Sequence, residues 1–320
     1  MSPSSDWRPT ASLETLRLRA RLLAEVRSFF SARGVLEVET PVLAASTATE
    51  VHIASMAVPG EAGAGAPSPR YLQTSPESHM KRLLAAGSGP IYQLGRAFRA
   101  RERGRHHNPE FTLLEWYRPG YDHHRLMDEV EALLGALLGA GQAQRLSYCE
   151  AFRRHAGIDP DTAPTEALER YAAELGARPQ RGQALDRDAC LDLILSRAVQ
   201  PALGTGPVFV HDFPASHASL GRVEGGYAQR FEVFVEGIEL ANGYRELTDP
   251  AEQRRRFEAD RRRRQQLGLA DVAPDERLLA ALGHGLPEGA GVALGFDRLV
   301  MIAAGASELS AVVAFPIDRA

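Results

Sequence analysis

The chain has 320 residues, of which 44% are hydrophobic and 24% are charged, a composition typical of a globular protein with a large core. Its 37 basic and 41 acidic side chains give a formal net charge of −4, which argues against a dedicated nucleic-acid binder, since such proteins are usually basic. The two cysteines lack metal-ligand spacing, and no apolar run reaches the roughly 20 residues of a membrane helix. We therefore expect a cytoplasmic protein without a signal peptide or a membrane partner.

The first half of the chain alternates helix and strand signals. Apolar residues at three- and four-residue steps predict an amphipathic helix over residues 12–32. The glycine-rich residues 60–68 indicate a surface loop, and the Ser-Pro-Glu sequence at 75–77 predicts the start of a second helix. Aromatic and aliphatic runs at 91–98 and 111–117 predict two β-strands.

The second half begins with a helix signal at Asp122 and continues with a mostly helical stretch over residues 147–205, which we interpret as a helical insertion. Strand character returns over 228–247, where apolar and acidic residues alternate. Asp249, followed by proline, predicts the start of a long arginine-rich helix, and a short helix and a final strand are expected after Arg298. Because long strands follow one another without helical crossovers, the pattern predicts an antiparallel sheet and an α+β fold.

The loop between the first two predicted strands is the most informative segment. Residues 98–111 have the sequence FRARERGRHHNPEF, which places four arginines on a strand–loop–strand unit. Each guanidinium group offers a planar fork of donors that suits phosphate and carboxylate groups. A solvated basic hairpin tip is the alternative interpretation, and the arginines alone do not exclude it.

Four short segments carry further motifs, namely HNPEF at 107–111, GVLEVETP at 34–41, ELANGYREL at 239–247 and GVALGFDR at 291–298. The first resembles the second signature motif of class II aminoacyl-tRNA synthetases in its lysyl form. The others resemble the first motif, the lysine-pocket strand and the third motif of that family, in the expected order. The resemblance implies a single catalytic domain over 1–320, with a central antiparallel β-sheet flanked by helices. It also implies a homodimer formed through the first motif, and we expect no anticodon-binding domain.

The resemblance implies that one half of the site binds ATP and Mg²⁺. Arg99 would contact both the amino-acid carboxylate and the α-phosphate, and Arg298 the γ-phosphate and one face of adenine, with Phe111 stacked on the other face. The two arginines are the expected catalytic residues. Glu232 and Glu239 match the acids that hold magnesium in the family, and carboxylate oxygens are ligands that Mg²⁺ prefers. The further expected ATP contacts are Ala100, Arg101, Asn108, Glu239, Leu240 and Gly295.

The other half is expected to bind an amino acid with two amines. Glu77 and Glu246 match the carboxylates that hold the amines of lysine, since two ammonium groups need two separated negative partners. For Glu77, a first-turn acid that complements the helix dipole is an alternative role. Tyr117 matches the hydroxyl partner of the distal amine, and Asn242 matches the partner of the carboxylate. The residues expected to form the wall beside Glu77 are Ser75 and Pro76.

Two positions depart from the lysyl synthetase pattern. Ala293 replaces the middle glycine of the third motif, and the extra methyl group would change which amine position fits the pocket. This replacement, together with the missing anticodon domain, resembles the stand-alone ligases that attach (R)-β-lysine to a lysine of bacterial elongation factor P. Arg101 replaces a glutamate that helps to recognise adenine, and Glu102 follows it as a candidate substitute.

The resemblance implies an ATP-dependent ligase that activates (R)-β-lysine as an adenylate and transfers it to the ε-amine of a lysine of elongation factor P. Stable tRNA binding is not expected. The alternatives are a truncated lysyl-tRNA synthetase-like enzyme that charges tRNA, and a non-catalytic regulatory paralogue. An amide-forming enzyme of the ammonia-dependent asparagine synthetase type is a third alternative, but a pocket with two carboxylates fits poorly with an aspartate side chain.

Overall fold

The computed structural model describes residues 7–59, 69–177 and 185–320. The expected surface loop at 60–68 lies outside the described residues, as do residues 178–184 of the expected helical insertion. Within the described ranges, no helix is long and apolar enough to cross a lipid bilayer.

Helices and strands form close to the positions that the sequence indicates. The α-helices of the described part are α1 (Leu13–Ser31), α2 (Glu77–Ala85), α3 (His123–Leu138), α4 (Tyr148–His155), α5 (Thr165–Glu174), α6 (Arg187–Ile194), α7 (Pro250–Gln266), α8 (Glu276–Gly285) and α9 (Phe296–Ala304). The strands are β1 (Leu36–Glu37), β2 (Leu43–Ala44), β3 (Met56–Val58), β4 (Arg70–Leu72), β5 (Ile91–Phe98), β6 (Glu110–Pro119), β7 (Gln144–Ser147), β8 (Val208–Pro214), β9 (Val223–Glu224), β10 (Tyr227–Val235), β11 (Ile238–Arg245) and β12 (Gly289–Gly295). The region expected to be a helical insertion carries α4, α5 and α6.

Side-chain caps explain where three of these helices begin. Ser12 caps α1 by accepting a hydrogen bond from the Thr15 amide at 3.0 Å. Asp122 caps α3, and Asp249 caps α7 directly before Pro250. Such caps satisfy backbone N–H groups that have no partner inside the helix, so these three starts can be found from the sequence alone.

The main sheet has the strand order β1-β5-β6-β12-β11-β10-β8-β7, with β9 paired to β10. Its centre from β5 to β8 is antiparallel, as predicted. The outer pairs β1–β5 and β7–β8 are parallel instead, because the chain returns to each of them through helices, and parallel strands require such long crossovers. The α+β fold class is therefore confirmed, while the antiparallel prediction holds only for the centre.

The two faces of the central strands have different neighbours, because successive side chains of a strand point to opposite sides. Trp116 belongs to a buried core that also contains side chains of α1, α3 and α9, whereas the adjacent Glu115 faces a cavity. The predicted strand forms as β10, and residues 231–235 are all buried despite the alternating residue types. Phe234 packs into a second core with the helices α4, α5 and α6, so both faces of this strand are covered.

The chain after α9 contradicts the expected final strand. A 3₁₀ turn at Leu309–Ala311 is followed by irregular backbone to residue 320. The backbone bonds to a distant loop rather than to a sheet: the Leu309 amide donates to the Arg105 carbonyl at 2.8 Å, and the Ile317 amide donates to the Asn108 side chain at 3.0 Å. The C-terminal segment therefore supports the arginine loop.

Candidate active site

A cavity of about 890 Å³ lies on the face of the main sheet opposite the core that contains Trp116. Most of the predicted site residues line this cavity, namely Ser75, Glu77, Arg99, Asn108, Phe111, Tyr117, Glu239, Leu240, Asn242, Glu246, Ala293, Gly295 and Arg298. Four predicted residues do not reach its wall: Pro76, Ala100, Arg101 and Glu232. Both expected halves of the site therefore open into one space.

Cross-strand pairing aligns Glu115, Ala293 and Asn242 in a row across the floor of the cavity. Asn242 of β11 pairs with Ala293 of β12, and Ala293 pairs with Glu115 of β6. Glu232 of β10 pairs with Asn242 from the other side. Directly paired residues project to the same face at roughly 5 Å spacing, so the Ala293 methyl group lies between the expected carboxylate partner and a buried acid.

An ion cluster lies behind the wall that Glu77 and Glu246 contribute to the cavity. The Lys81 side chain is 2% exposed, and its ammonium group lies 2.5 Å from a Glu77 oxygen and 2.6 Å from a Glu246 oxygen. Glu77 and Lys81 share a face of α2 because they are one helical turn apart. Burial raises the pKa of Glu246 to about 7, an effect that the Lys81 charge opposes and the Glu77 charge increases.

Glu115 is a third carboxylate of this cluster, and it is missing from the residues that the sequence predicts. It is 2% exposed and accepts hydrogen bonds from the Ser75 hydroxyl at 2.7 Å and the Tyr117 hydroxyl at 2.6 Å. Burial, together with the Glu77 charge, raises the pKa of Glu115 to about 7. The strand pattern contains a signal for it, because a residue two positions before Tyr117 must share its face.

The start of α2 holds the acids of this cluster in place. Pro76 precedes the first helical residue with a φ of −76°, close to the value that its ring imposes. The Ser75 hydroxyl accepts a hydrogen bond from the Glu77 amide at 3.1 Å while it donates to Glu115. Ser75 therefore connects the start of the helix to the buried acid, and Pro76 shapes the turn without touching the cavity.

Gly291 and Gly295 of β12 are needed for different reasons. A Cβ atom on Gly291 would lie 2.3 Å from the Tyr117 ring and 2.5 Å from a Glu246 oxygen, so only glycine lets these two side chains pack there. A Cβ atom on Gly295 would meet ordinary contacts, the nearest at 3.5 Å from Arg298. The protein itself therefore requires glycine at 291, whereas the room above Gly295 belongs to the cavity.

Arg298 is oriented mainly by backbone oxygens. Its guanidinium group donates to the Glu239 carbonyl at 2.6 Å and to the His106 carbonyl at 3.3 Å, and it lies 2.7 Å from His107 Nε2. Burial and the Arg298 charge lower the pKa of His107, which favours a neutral imidazole as the acceptor. The contact with the Glu239 carboxylate is long, 4.0 Å, so the positive charge faces the cavity with little compensation.

Arg99 lies at the start of the arginine loop, 5.1 Å from the centre of the Phe111 ring. Its Nε donates to the Thr74 carbonyl at 3.4 Å, and its Nη1 lies 3.6 Å from a Glu102 oxygen. Glu102 lines the cavity, so the acid next to Arg101 is available on the nucleotide side.

Three expected ATP contacts have other partners or another location. The Asn108 amide group donates to the Glu110 carbonyl at 2.6 Å, and the Ala100 amide donates to the Ala54 carbonyl at 2.7 Å. Arg101 has a φ of 68°, in the left-handed region that most residues avoid. Ala100 and Arg101 line a separate cavity of about 340 Å³, which places their side chains away from the main one.

The two acids expected to hold magnesium differ in exposure. The Glu239 side chain is 42% exposed, whereas the Glu232 side chain is 9% exposed and bonds to Arg230. Burial raises the pKa of Glu232 to about 7, an effect that Arg230 opposes and the Glu239 charge increases. The two carboxylates thus lie close enough to interact, and their oxygens suit a hard cation such as Mg²⁺.

Arg230 is a second functional candidate that the sequence analysis missed. Its guanidinium group donates to the Asn242 side chain at 3.2 Å and to the His217 carbonyl at 3.0 Å, in addition to Glu232. Arg230 lines the cavity, so it adds positive charge beside the expected carboxylate partner. Its position two residues before Glu232 is the signal that could have identified it.

The cavity therefore has an acidic and a basic part. The acidic part contains Glu77, Glu115 and Glu246, and the basic part contains Arg99, Arg230 and Arg298. Carboxylates suit a ligand with ammonium groups, and guanidinium groups suit phosphates and carboxylates. This arrangement can hold a diamino acid with its carboxylate next to a polyphosphate.

Comparison with known proteins finds similar sequences across the full chain. The family model for class II tRNA synthetases (D, K and N) matches residues 3–319. The chain is 52% identical over 329 residues to the elongation factor P–(R)-beta-lysine ligase of Yersinia enterocolitica, with 100% of both chains covered. It is also 52% identical to the protein of that name from Erwinia tasmaniensis, again over 100% of both chains. The Vibrio cholerae protein of that name is 50% identical, with 99% of each chain covered.

Proposed function

The chain belongs to the class II tRNA synthetase family (D, K and N), and we propose that it is an ATP-dependent ligase that acts on elongation factor P. It activates (R)-β-lysine as an adenylate and transfers the β-lysyl group to the ε-amine of a lysine of that protein. The observation that carries the proposal is the cluster of Glu77, Glu115 and Glu246 beside the arginines of the same cavity. Relatives that carry this ligase name are similar over the full length of the chain, which supports the same activity.

In the first step the amino-acid carboxylate attacks the α-phosphorus of ATP, and pyrophosphate leaves. Two anionic groups must be held together, so the site has to neutralise charge as the new bond forms. Arg99 contacts both the carboxylate and the α-phosphate, and Arg298 binds the γ-phosphate. Arg230 donates a hydrogen bond to the Asn242 side chain, and Asn242 orients the substrate carboxylate for attack.

The nucleotide is held on the exposed side of the site. Phe111 stacks against adenine opposite Arg298, and Asn108 supports the loop that carries both Arg99 and Phe111. Members of this family use ATP and Mg²⁺, and Glu232 and Glu239 are the acids that would hold the metal ion here. The bound ion supplies positive charge to the phosphate oxygens.

The acidic part of the cavity selects the amino acid. Glu77 and Glu246 accept hydrogen bonds from the two amines, and Tyr117 together with Glu115 contacts the distal one. The Ala293 methyl group raises the floor between Asn242 and Glu115. This favours (R)-β-lysine over α-lysine, because the amine nearer the carboxylate is attached one carbon further from it in (R)-β-lysine than in α-lysine.

In the second step the ε-amine of the acceptor lysine attacks the acyl carbon of the adenylate. The bond between this carbon and the phosphate oxygen breaks, and AMP leaves with the electron pair. The acceptor ammonium loses two protons in total, one before the attack and one as the amide forms. The product is a neutral amide, so no charge remains at the reacting nitrogen.

The partner contacts follow from the same family. We propose that the protein forms a homodimer through residues 34–41, where Leu36 is 56% exposed, since exposed apolar side chains often mark protein interfaces. Leu43 on the nearby β2 is 47% exposed and extends this surface. The protein acts in the cytoplasm and does not bind tRNA stably.

One assay tests the proposed reaction. The protein is incubated with ATP, Mg²⁺ and either (R)-β-lysine or α-lysine, and unmodified elongation factor P or tRNA is then added. The expected result is a mass increase of elongation factor P by one β-lysyl group, detected by mass spectrometry, with much less product from α-lysine. Charging of tRNA without modification of elongation factor P would contradict the proposal, as would the absence of adenylate formation with either amino acid.

A further inference from the structure

Lys81 is a buried cation to which the proposed reaction assigns no task. Its side chain extends from α2 and is 2% exposed. The ammonium group lies 2.5 Å from Glu77 Oε1 and 2.6 Å from Glu246 Oε2. A charge removed from water requires close partners of opposite sign, and the partners here are the two carboxylates proposed to bind the amines of the substrate.

The charges of the cluster match those of a diamino acid. When ionised, Glu77, Glu115 and Glu246 contribute −3 and Lys81 contributes +1, so the acidic part of the cavity has a net charge of −2. The substrate brings two ammonium groups into this part, while its carboxylate lies at the arginines. With Lys81 present, the occupied amine pocket is neutral, whereas without Lys81 one buried negative charge remains without a partner.

The position of Lys81 also constrains both acids. One ammonium group that contacts an oxygen of Glu77 and an oxygen of Glu246 ties α2 to the end of β11. The two carboxylates therefore keep a fixed separation, which determines how far apart two bound amines can be. A helix and a strand end that are far apart in sequence are coupled here through a single side chain.

We propose that Lys81 is a specificity-determining positioning residue, whose ammonium group holds the Glu77 and Glu246 carboxylates at the spacing that a substrate with two ammonium groups requires. This inference rests on the proposed function, because it concerns the same pocket. Lys81 acts through the two acids and does not touch the reacting atoms.

The pH dependence of substrate use separates this role from simple structural support. The groups that face Glu246 are Lys81 and Glu77 from α2, Tyr117 from β6 and the Gly291 amide from β12. Burial raises the pKa of Glu246 to about 7 even though the Lys81 charge opposes the shift. Loss of Lys81 must therefore raise this pKa further, so the ionised carboxylate that binds an amine forms only at higher pH.

The test compares Lys81→Met, which keeps the length of the side chain, with Lys81→Arg, which keeps its charge. Arg82→Met is the matched control, because Arg82 is the next basic residue of α2 but is not the ion-pair partner of Glu77 or Glu246. Adenylate formation is measured as pyrophosphate exchange against (R)-β-lysine and ATP concentration over a range of pH. For Lys81→Met we expect the KM for (R)-β-lysine to rise about 10- to 100-fold at neutral pH and to recover at higher pH.

In the same variant the KM for ATP is expected to stay within about twofold of wild type. Lys81→Arg should retain most of the (R)-β-lysine affinity, and Arg82→Met should behave like wild type. An unchanged KM and pH curve for Lys81→Met would overturn the inference, and so would an equal rise of both KM values. If wild type itself forms no adenylate with any diamino acid, the proposed function fails instead, which keeps the two outcomes distinct.

A double variant decides the question if Lys81→Met does not fold. Removal of both partners of a buried ion pair disturbs a protein less than removal of one, so Lys81→Met combined with Glu246→Gln is expected to fold. Relative to Glu246→Gln alone, the double variant regains the net charge of −2 but leaves Glu77 without the ammonium group that positions it. We expect it to have a higher KM for (R)-β-lysine than the Glu246→Gln variant, and an equal or lower KM would contradict the positioning role.

Discussion

The amino-acid half and the nucleotide half of the cavity hold their charges in different ways. The acids of the amino-acid half are paired with other side chains in the interior, as Glu246 is with Lys81 and Glu115 is with Tyr117. In the nucleotide half, Arg99 and Arg298 are partly exposed and are oriented largely by backbone carbonyl groups.

This difference indicates that the two halves of the cavity have different functions. Charges that are buried and paired interact strongly, because little water screens them, so the amino-acid half can distinguish ligands by the position of one amine. Partly exposed guanidinium groups on a loop can adapt to a large polyanion that binds and leaves in each cycle. Specificity is therefore expected to reside mainly in the interior, and charge neutralisation during the reaction mainly at the exposed side.

The largest expected effect is on the nucleotide half. Arg99→Gln should lower kcat for pyrophosphate exchange by about 10²- to 10³-fold, because it removes positive charge where negative charge develops. The control is Arg103→Gln, since Arg103 lies in the same loop and pairs with Asp318 at 3.1 Å outside the cavity. If both variants lose activity equally, the loop contributes general charge rather than a specific contact at Arg99.

The next effect separates the two halves directly. Glu246→Gln should raise the KM for (R)-β-lysine about 100-fold, because it weakens a buried charged contact, and it should leave the KM for ATP nearly unchanged. Glu288→Gln is the control, since Glu288 is exposed and pairs with Arg222 and Arg245 on the surface. Equal increases of both KM values in Glu246→Gln would mean that the halves are not independent.

The raised pKa values of the buried acids predict a pH dependence. Glu115 and Glu246 have pKa values of about 7 instead of the usual 4.5, so the ionised acids needed to bind amines accumulate only as the pH rises through 7. The KM for (R)-β-lysine should fall over this range.

The same shifts predict the effect of pH on stability. The folded protein binds protons that the unfolded chain has already released between pH 4.5 and about 7, so the free protein should become less stable as the pH rises over this window. Melting temperatures of wild type and Glu115→Gln, measured across the window, test this. If the difference in melting temperature between the two proteins does not change with pH, Glu115 does not titrate in this window.

The smallest effect concerns the methyl group of Ala293. Ala293→Gly should shift the preference between (R)-β-lysine and α-lysine toward α-lysine by about tenfold, which is the order of discrimination that one methyl group supplies. Ala290→Gly is the control, because its methyl group lies on the opposite face of the same strand, in the core. Unchanged discrimination in Ala293→Gly would mean that another feature selects the substrate.

The sequence was most informative where the site is contiguous in the chain. Arg99, Asn108 and Phe111 belong to one strand–loop–strand unit, and their motif can be recognised without knowledge of the rest of the fold. Asp122 likewise predicts the start of α3 because a cap depends only on its own residue and the next few. The geometry of such local motifs depends on a few neighbouring residues, so the sequence alone can predict it.

Predictions failed where distant segments meet. Lys81, Glu115 and Arg230 were missed because their partners Glu246, Ser75 and Asn242 come from other segments of the chain. The final strand was wrong because the backbone after α9 bonds to the arginine loop, a contact without a local signal. The burial of both faces of β10 likewise has no local signal, because a second core covers one of them.

By itself, the sequence determined the α+β class, the arginine loop and the motifs that identify the family, because caps, strand periodicity and short motifs act over a few residues. The tertiary structure alone decided that Lys81 lies between two acids, that Arg230 supports Asn242, and that the methyl group of Ala293 lies beside Glu115. These relations depend on strand register and on the packing of α2 against the sheet. The charges that distinguish one amine position from another are therefore brought together by folding.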